Sequence, residues 1–289
     1  MASRRQVREA AVQLLYARAT APKEQGGPEF WELVNDRNGI VFDNARVKIL
    51  AHFQQGRTAT AAKLQAILID CSAAILAADH GEKLARDFKA LSTAEVKWAD
   101  TIRSLSNLTK ADLGGWRRDL AKLLLEFGTL KKQRDELLPK TALFPPLQHK
   151  ALIEIFAKLD IYDERARMVH FPQNYPEQRD LDHLHRLLNE MKKLENEVVA
   201  LVDQVEAAHI ELDEIIDQKA KNFDFSRLSK VDLAILRLAS WEILHRSDLD
   251  NAISINEAIE LARSFSGEEA ASFVNGILDQ IARDTAAPQ

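Results

Sequence analysis

The residues best suited to chemistry are three arginines near the amino end, Arg4, Arg5 and Arg8. Ser3 and Gln6 have the spacing of a capping box, which predicts a helix that begins at Arg4. Cations in a first helical turn face the positive end of the helix dipole, at a cost of roughly 0.3–1 kcal/mol each. A solvated helix start does not explain why arginines cluster there. Phosphate binding would explain the cluster, because a guanidinium group presents a planar fork of hydrogen-bond donors. On these residues alone both interpretations stay open.

The same helix carries further polar residues. A helical wheel places Arg5, Arg8, Glu9, Gln13 and Tyr16 together, opposite an apolar face. Tyr16 lies two turns beyond Arg8 and offers a flat ring on which an unpaired base could stack. This face is therefore a candidate site for single-stranded RNA.

Other constellations predict no catalytic or metal chemistry. The sequence has no Gly-rich phosphate loop, no Ser/His/Asp order and no cysteine spacing for a metal, so neither an enzyme nor a cofactor is expected. His183 and His185 are two residues apart on a helix and point to different sides, which makes them a poor metal pair. Asp160, Asp163 and Glu164 follow an apolar helix face and are expected to form a solvated rim.

Composition indicates an all-α protein. The chain has 289 residues, enough for a large core, and its ten glycines and eight prolines are about half the usual share. No alternating strand pattern appears between turn signals. The net charge of -5 means that nucleic-acid binding would need a local basic site.

The compartment is predicted to be the cytoplasm. Cys71 is the only cysteine, so no internal disulfide can form, which fits a reducing compartment. The amino end lacks the small-residue cleavage site of a signal peptide. The best membrane candidate, Leu64 to Ala78, is too short and is broken by Asp70, so no membrane association is expected.

The helix pattern continues along the chain. A linker rich in proline and glycine is predicted at 21–30. It precedes predicted helices at 43–55, 58–79, 82–91, 93–108, 111–138 and 148–168. From Glu177 to about Lys221 no breaker occurs, and a seven-residue apolar rhythm predicts one long helix.

Three short helices are predicted after Lys219. Their starts are marked by three capping-box spacings, Ser229 with Asp232, Ser254 with Glu257, and Ser266 with Glu269. Apolar residues at helical spacing follow each start, which predicts a compact bundle. Gly276 lies inside the last helix, where a close helix crossing is the favoured explanation and contact with RNA the alternative.

Several motifs in these segments resemble the NusB family of transcription antitermination factors. They comprise residues 4–16 (RRQVREAAVQLLY), 225–244 (FSRLSKVDLAILRLASWEIL), 253–262 (ISINEAIELA) and 273–279 (FVNGILD). The motifs cover roughly the first 20 and the last 90 residues. The stretch between them is far longer than the family pattern provides.

The resemblance implies a function and a set of sites. Family members hold boxA RNA with the first helix and pair with a small-subunit ribosomal protein of the NusE type. The implied RNA-binding residues are Arg4, Arg5, Arg8, Gln13, Tyr16, Ser266, Gly267, Glu269 and Phe273. Asp232 and Glu242 are implied contacts for the NusE-type protein. The complex would then associate with the elongating RNA polymerase.

The implied architecture is all-α, with NusB-like helical bundles and a large helical insertion. The predicted parts are the first helix at 1–20, the linker at 21–30, an insertion at 31–190, the remaining NusB-like region at 191–284 and a flexible tail at 285–289. The predicted function is a transcription antitermination or elongation factor. The alternative is a helical protein-interaction scaffold that has lost RNA binding.

Overall fold

A computed structural model describes residues 3–21, 30–31, 34, 36–106, 113–220 and 225–286. Across these residues the chain is all-α and has no strand, which confirms the predicted fold class. Backbone contacts divide the chain into two compact units. We call Asn38–Leu188 the middle unit, and Met1–Arg37 together with Asn189–Gln289 the terminal unit. Most of the predicted linker and the last three residues of the predicted tail lie outside the described residues.

The helices are numbered in chain order. They are α1 (Arg4–Thr20), α2 (Asp36–Phe53), α3 (Arg57–Asp70), α4 (Ser72–Leu76), α5 (Gly81–Leu105), α6 (Leu113–Leu137), α7 (Pro146–His170), α8 (Asp182–Ala207), α9 (His209–Lys219), α10 (Lys230–His245), α11 (Asn251–Phe265) and α12 (Glu268–Ala286).

The structure divides or joins predicted helices at three places. The helix predicted at 58–79 is divided at Cys71 into α3 and α4. The helices predicted at 82–91 and 93–108 form the single helix α5, in which the Ser92 hydroxyl donates to the carbonyl of Lys89 within the helix instead of capping a new one. The long helix predicted from Glu177 to Lys221 is broken at Ala208, where φ is -95° and ψ is 5°. The His209 ring bonds the Glu206 carbonyl at the same place.

The middle unit packs α3, α5, α6 and α7 around an apolar core. Leu64, Phe88, Leu91 and Phe127 are almost completely buried there. Each of these helices places an apolar stripe inward, and the four stripes bury one another.

A network of buried charges crosses this core. Arg57 donates to Asp163 at 2.7 Å and to Glu95 at 3.2 Å, and Arg134 donates to Glu95, Asp160 and Asp163. Asp163 is only 5% exposed. The prediction of a solvated rim is therefore wrong for Asp163. Asp163 lies on the buried stripe of α7. Burying a carboxylate without a charged partner would cost free energy, so the two arginines are needed there.

In the terminal unit, α10 lies at the centre and contacts α1, α9, α11 and α12. Leu14, Val202, Leu236 and Leu278 are fully buried in this core. Ala234, Ala239 and similar small residues of α10 help the neighbouring helices approach it.

Two of the predicted helix starts are shifted. Ser254 lies inside α11, which begins at Asn251 and is capped by Asp250, whose carboxylate accepts from the Ala252 N–H at 2.9 Å. The last helix, α12, begins at Glu268, just after the predicted cap Ser266. The Ser229 cap of α10 is confirmed, because its hydroxyl accepts from the Asp232 N–H at 3.0 Å.

Gly276 does not lie at a close helix crossing. It is exposed, and a Cβ built on it would meet no other atom within 4 Å. The expected crossing is therefore wrong.

Candidate nucleic-acid interface

The first turn of α1 is built to expose cations. Ser3 and Gln6 form the predicted capping box, in which the Gln6 N–H donates to the Ser3 hydroxyl at 3.2 Å and the Ser3 N–H donates to the Gln6 side chain at 2.8 Å. The first turn contains no acidic residue. Arg4 and Arg5 are exposed, and neither forms an ion pair with any residue in the described part of the chain.

Arg8 is buried instead of exposed. Only 5% of it is accessible, and its Nε donates to both carboxylate oxygens of Glu242 at 3.0 Å. Glu242 is itself 4% exposed and also accepts from the Ser254 hydroxyl at 2.8 Å. The expectation that Arg8 faces RNA and Glu242 faces a protein partner is corrected, because each side chain neutralises the other inside the bundle.

The rest of the predicted α1 face is partly accessible. Tyr16 is 42% exposed, and Gln13 is half-buried. At the carboxyl end of the helix Arg18 donates to Asp203 and Glu206 at 2.8 and 2.7 Å. The unneutralised positive charge of α1 is therefore concentrated in its first turn.

Several other cations of the terminal unit are paired, whereas Lys192, Arg227 and Arg283 are exposed and form no ion pair with a described residue. Arg237 donates to both oxygens of Asp213 at 2.7 and 2.6 Å. Lys219 contacts Asp284, and Arg263 donates to Glu268 at 2.7 Å. Arg4 and Arg5 differ from the other exposed cations without an ion pair in that they are adjacent in one helical turn, so a phosphate could bind both without displacing a carboxylate.

The segment between α11 and α12 contains the second set of predicted RNA contacts. Ser266 and Glu269 are exposed, and Gly267 adopts the left-handed φ of 98° that lets its N–H and that of Ser266 both donate to the Ala262 carbonyl. Phe273 is half-buried and packs against the core. No hydrogen bond or ion pair between described residues joins this segment to Arg4 or Arg5.

Asp232, the remaining predicted partner contact, is half-buried at the start of α10. One carboxylate oxygen accepts from the Ser229 hydroxyl at 2.7 Å, while the other, Oδ1, is buried without a partner among the described residues. Its local bonds are those of a helix cap.

Sequence reasoning missed Arg246 and Ser254. Arg246 follows α10 directly and borders the same cleft as Arg4. Ser254 supplies a third bond to the buried pair of Arg8 and Glu242. A serine three residues before a glutamate has the spacing of a helix cap, so the local pattern gave no signal of this role.

The described residues contain no group of three or more His, Cys, Asp or Glu side chains arranged to hold a metal ion. Among the helices in the described ranges, none combines the length and the apolar character that crossing a bilayer requires.

Comparison with known proteins gives a family match. Residues 150–283 match the model of the NusB family. The chain is 52% identical over 73 residues to the transcription antitermination protein NusB of Acetivibrio thermocellus, covering 25% of this chain and 50% of that protein. It is 46% identical over 82 residues to the protein of the same name from Geotalea uraniireducens, and the alignment covers 28% of this chain and 57% of that protein. The protein of that name from Natranaerobius thermophilus is 47% identical over 85 residues, and the alignment covers 29% of this chain and 61% of that protein.

The chain spans about half to three fifths of the length of these curated relatives. No solved structure matches the chain. The family match begins in α7, upstream of residue 191, and ends in α12. Residues 150–283 are therefore similar to the NusB family, and this match confirms the resemblance predicted from the sequence.

Proposed function

We propose that this protein is a transcription antitermination or elongation factor that binds boxA-like single-stranded RNA. It acts together with a NusE-type small-subunit ribosomal protein, in association with the elongating RNA polymerase, and catalyses no reaction. The names of the matched relatives support the antitermination role. The RNA and protein partners come from the family resemblance and from the chemistry of α1.

The observation that carries the proposal is the pair Arg4 and Arg5. Both are exposed in a helical turn without acidic residues, and neither forms a direct ion pair in the described part of the chain, although the charge of Arg4 acts on the Asp248 carboxylate. A backbone phosphate supplies the missing charge and accepts two parallel N–H bonds from one guanidinium group. Phosphates fix the register of the strand, while exposed bases specify the sequence.

The remaining residues take revised roles. Tyr16 offers its exposed ring to a base, and Gln13 lies one turn before it as a polar contact. Ser266, Gly267, Glu269 and Phe273 stay proposed as secondary RNA contacts. Asp232 stays proposed as a contact for the basic NusE-type protein.

In this proposal the buried pair acts indirectly. Arg8 and Glu242 hold α1 against α10 and so fix the direction in which the first turn of α1 faces.

The test is a titration of fluorescently labelled boxA-type RNA, with a scrambled RNA of equal length beside it. The double variant R4A/R5A should bind the RNA more weakly. The slope of log K against log salt should flatten by about 0.7 for each phosphate that the variant no longer neutralises. The matched control is R86A/R118A, which removes two exposed arginines of the middle unit and changes the net charge equally.

Each titration is repeated with the NusE-type protein. We expect tighter RNA binding in its presence and no effect of R86A/R118A. Equal affinities and slopes for wild type and R4A/R5A would reject the proposal. A wild-type chain that binds the ribosomal protein but no RNA would favour the alternative of an interaction scaffold.

A further inference from the structure

A cleft of about 370 Å³ opens beside the first turn of α1. Residues of α1, α8, α10 and the segment that follows α10 line it, including Arg4, Gln204, Trp241 and Arg246. Its volume lies within the roughly 300–1,000 Å³ that small-molecule sites occupy. The cleft therefore has room for a ligand group larger than a water molecule, directly next to the cation of Arg4.

Arg246 is held in position on the wall of this cleft. Its Nε and Nη2 donate to the two carboxylate oxygens of Asp248 at 2.7 and 2.8 Å. Hydrogen bonding to Arg246, helped by the charge of Arg4, lowers the pKa of Asp248 to about 2, so this carboxylate stays ionised at neutral pH. The Nη1 group of Arg246 donates to no acceptor in the described part of the chain. Asp248 thus fixes the guanidinium and leaves one of its nitrogens for a ligand.

The other walls offer groups that suit a base. Gln204 is exposed and carries both a donor and an acceptor on its amide. Glu197, also on the wall, accepts hydrogen bonds only and suits an exocyclic amino group. Trp241 borders the cleft and stacks on the His245 ring, with centroids 5.5 Å apart and planes 13° apart. A rigid aromatic wall and polar groups of both kinds are common features of nucleotide sites.

We infer that this cleft receives one nucleotide of the bound RNA, with its phosphate between Arg4 and Arg246 and its base facing Gln204 and Trp241. The inference rests on the proposed RNA binding and adds a position at which the protein reads the base. Arg4 would link the cleft to Arg5, so that the strand enters from the first turn of α1.

The experiment measures binding of boxA-type RNA to the full chain carrying R246A or Q204A. R246A should weaken binding about fivefold or more for every RNA, as removal of a phosphate-binding cation does. Q204A should relax the preference for the base at one position in a panel of single-base RNA variants and leave the other positions unchanged. A merely structural role of Gln204 would not change the preference at a single position.

The matched control is R103A, which also removes an exposed arginine from an Arg–Asp pair, in this case with Asp100 in the middle unit. It should bind every RNA like wild type. If R4A/R5A weakens binding while R246A and Q204A match wild type, the cleft inference is overturned and the proposed function stands. If the wild type binds no RNA, both are overturned. Because Gln204 is exposed, Q204A decides the question even if R246A fails to fold.

Discussion

The Nε group of Arg8 lies 3.0 Å from each carboxylate oxygen of Glu242, a residue 234 positions away in the chain. Both residues are at least 95% buried, and the Ser254 hydroxyl donates a further hydrogen bond of 2.8 Å to Glu242. The contact joins α1 to α10 and α11. It therefore connects the helix that exposes Arg4 and Arg5 to the centre of the terminal unit.

Breaking this pair from one side should strongly destabilise the protein. R8M keeps the side-chain volume similar but leaves the Glu242 carboxylate buried without its cation, which costs about 3–5 kcal/mol. The double variant R8M/E242M removes both charges and should recover much of this loss, since apolar replacements of a buried pair are often neutral. Urea unfolding followed by tryptophan fluorescence measures the free energies.

The control is K193A, which breaks the exposed Lys193–Glu197 pair, whose charged atoms are 3.7 Å apart. K193A should lower the free energy of unfolding by no more than about 1 kcal/mol. Additive effects of R8M and E242M would contradict the interpretation, because the bond between two paired side chains is already lost in either single variant and cannot be lost twice.

Two glycines should respond in opposite directions to the same substitution. Gly276 is exposed within α12 with open space around it, so G276A should stabilise the protein by about 1 kcal/mol. Gly267 also has open space, but its φ of 98° is unfavourable for a residue with a Cβ, so G267A should cost about 1–2 kcal/mol. Thermal melting of the two variants in parallel checks the signs. A lowered melting temperature for G276A would be evidence for the close crossing that the structure lacks.

The features that could be predicted from sequence are those set by near neighbours. Ser3 and Gln6 cap α1 as expected, because both groups and both N–H donors lie within one turn. The all-α class followed from the scarcity of breakers and the helical spacing of apolar residues. The NusB resemblance added the order of the carboxyl-terminal helices.

Arg8 could not be placed correctly from sequence. A helical wheel puts it beside the exposed Arg5, and the neutralising Glu242 is distant in the chain. Asp163 is different, because the sequence contained a signal. It lies four residues after Leu159 and three before Ala166, both fully buried, so it continues the apolar stripe of α7. A charge on such a stripe indicates a buried partner better than it indicates a solvated rim.

The middle unit should lose stability on mild acidification through His170. Its Nδ1 lies 2.9 Å from Nη2 of the buried Arg46, which also donates to Asp43. Burial, with the nearby Arg46 charge, lowers the pKa of His170 from 6.5 to about 4. As the pH falls from 6.5 to 4, the unfolded chain binds a proton that the folded chain does not, so the free energy of unfolding decreases.

H170N isolates this effect, because its side-chain oxygen can accept from Arg46 but does not titrate. The stability of wild type relative to H170N should be constant above about pH 7 and should fall between pH 6.5 and 4. Urea unfolding at four pH values across this range gives the comparison. Parallel pH profiles for the two proteins would show that His170 does not carry the effect.

The charge network of the middle unit should depend on Glu95, which is fully buried and accepts hydrogen bonds from both Arg57 and Arg134. Burial raises the pKa of this carboxyl against the opposing effect of the two guanidinium groups. E95Q keeps the shape but leaves two buried arginines short of a counterion, so we expect a loss of about 3–5 kcal/mol in urea unfolding. D100N, an exposed change in the same helix, should stay within about 1 kcal/mol of wild type. Equal stabilities for the two variants would mean that Asp160 and Asp163 alone neutralise both arginines.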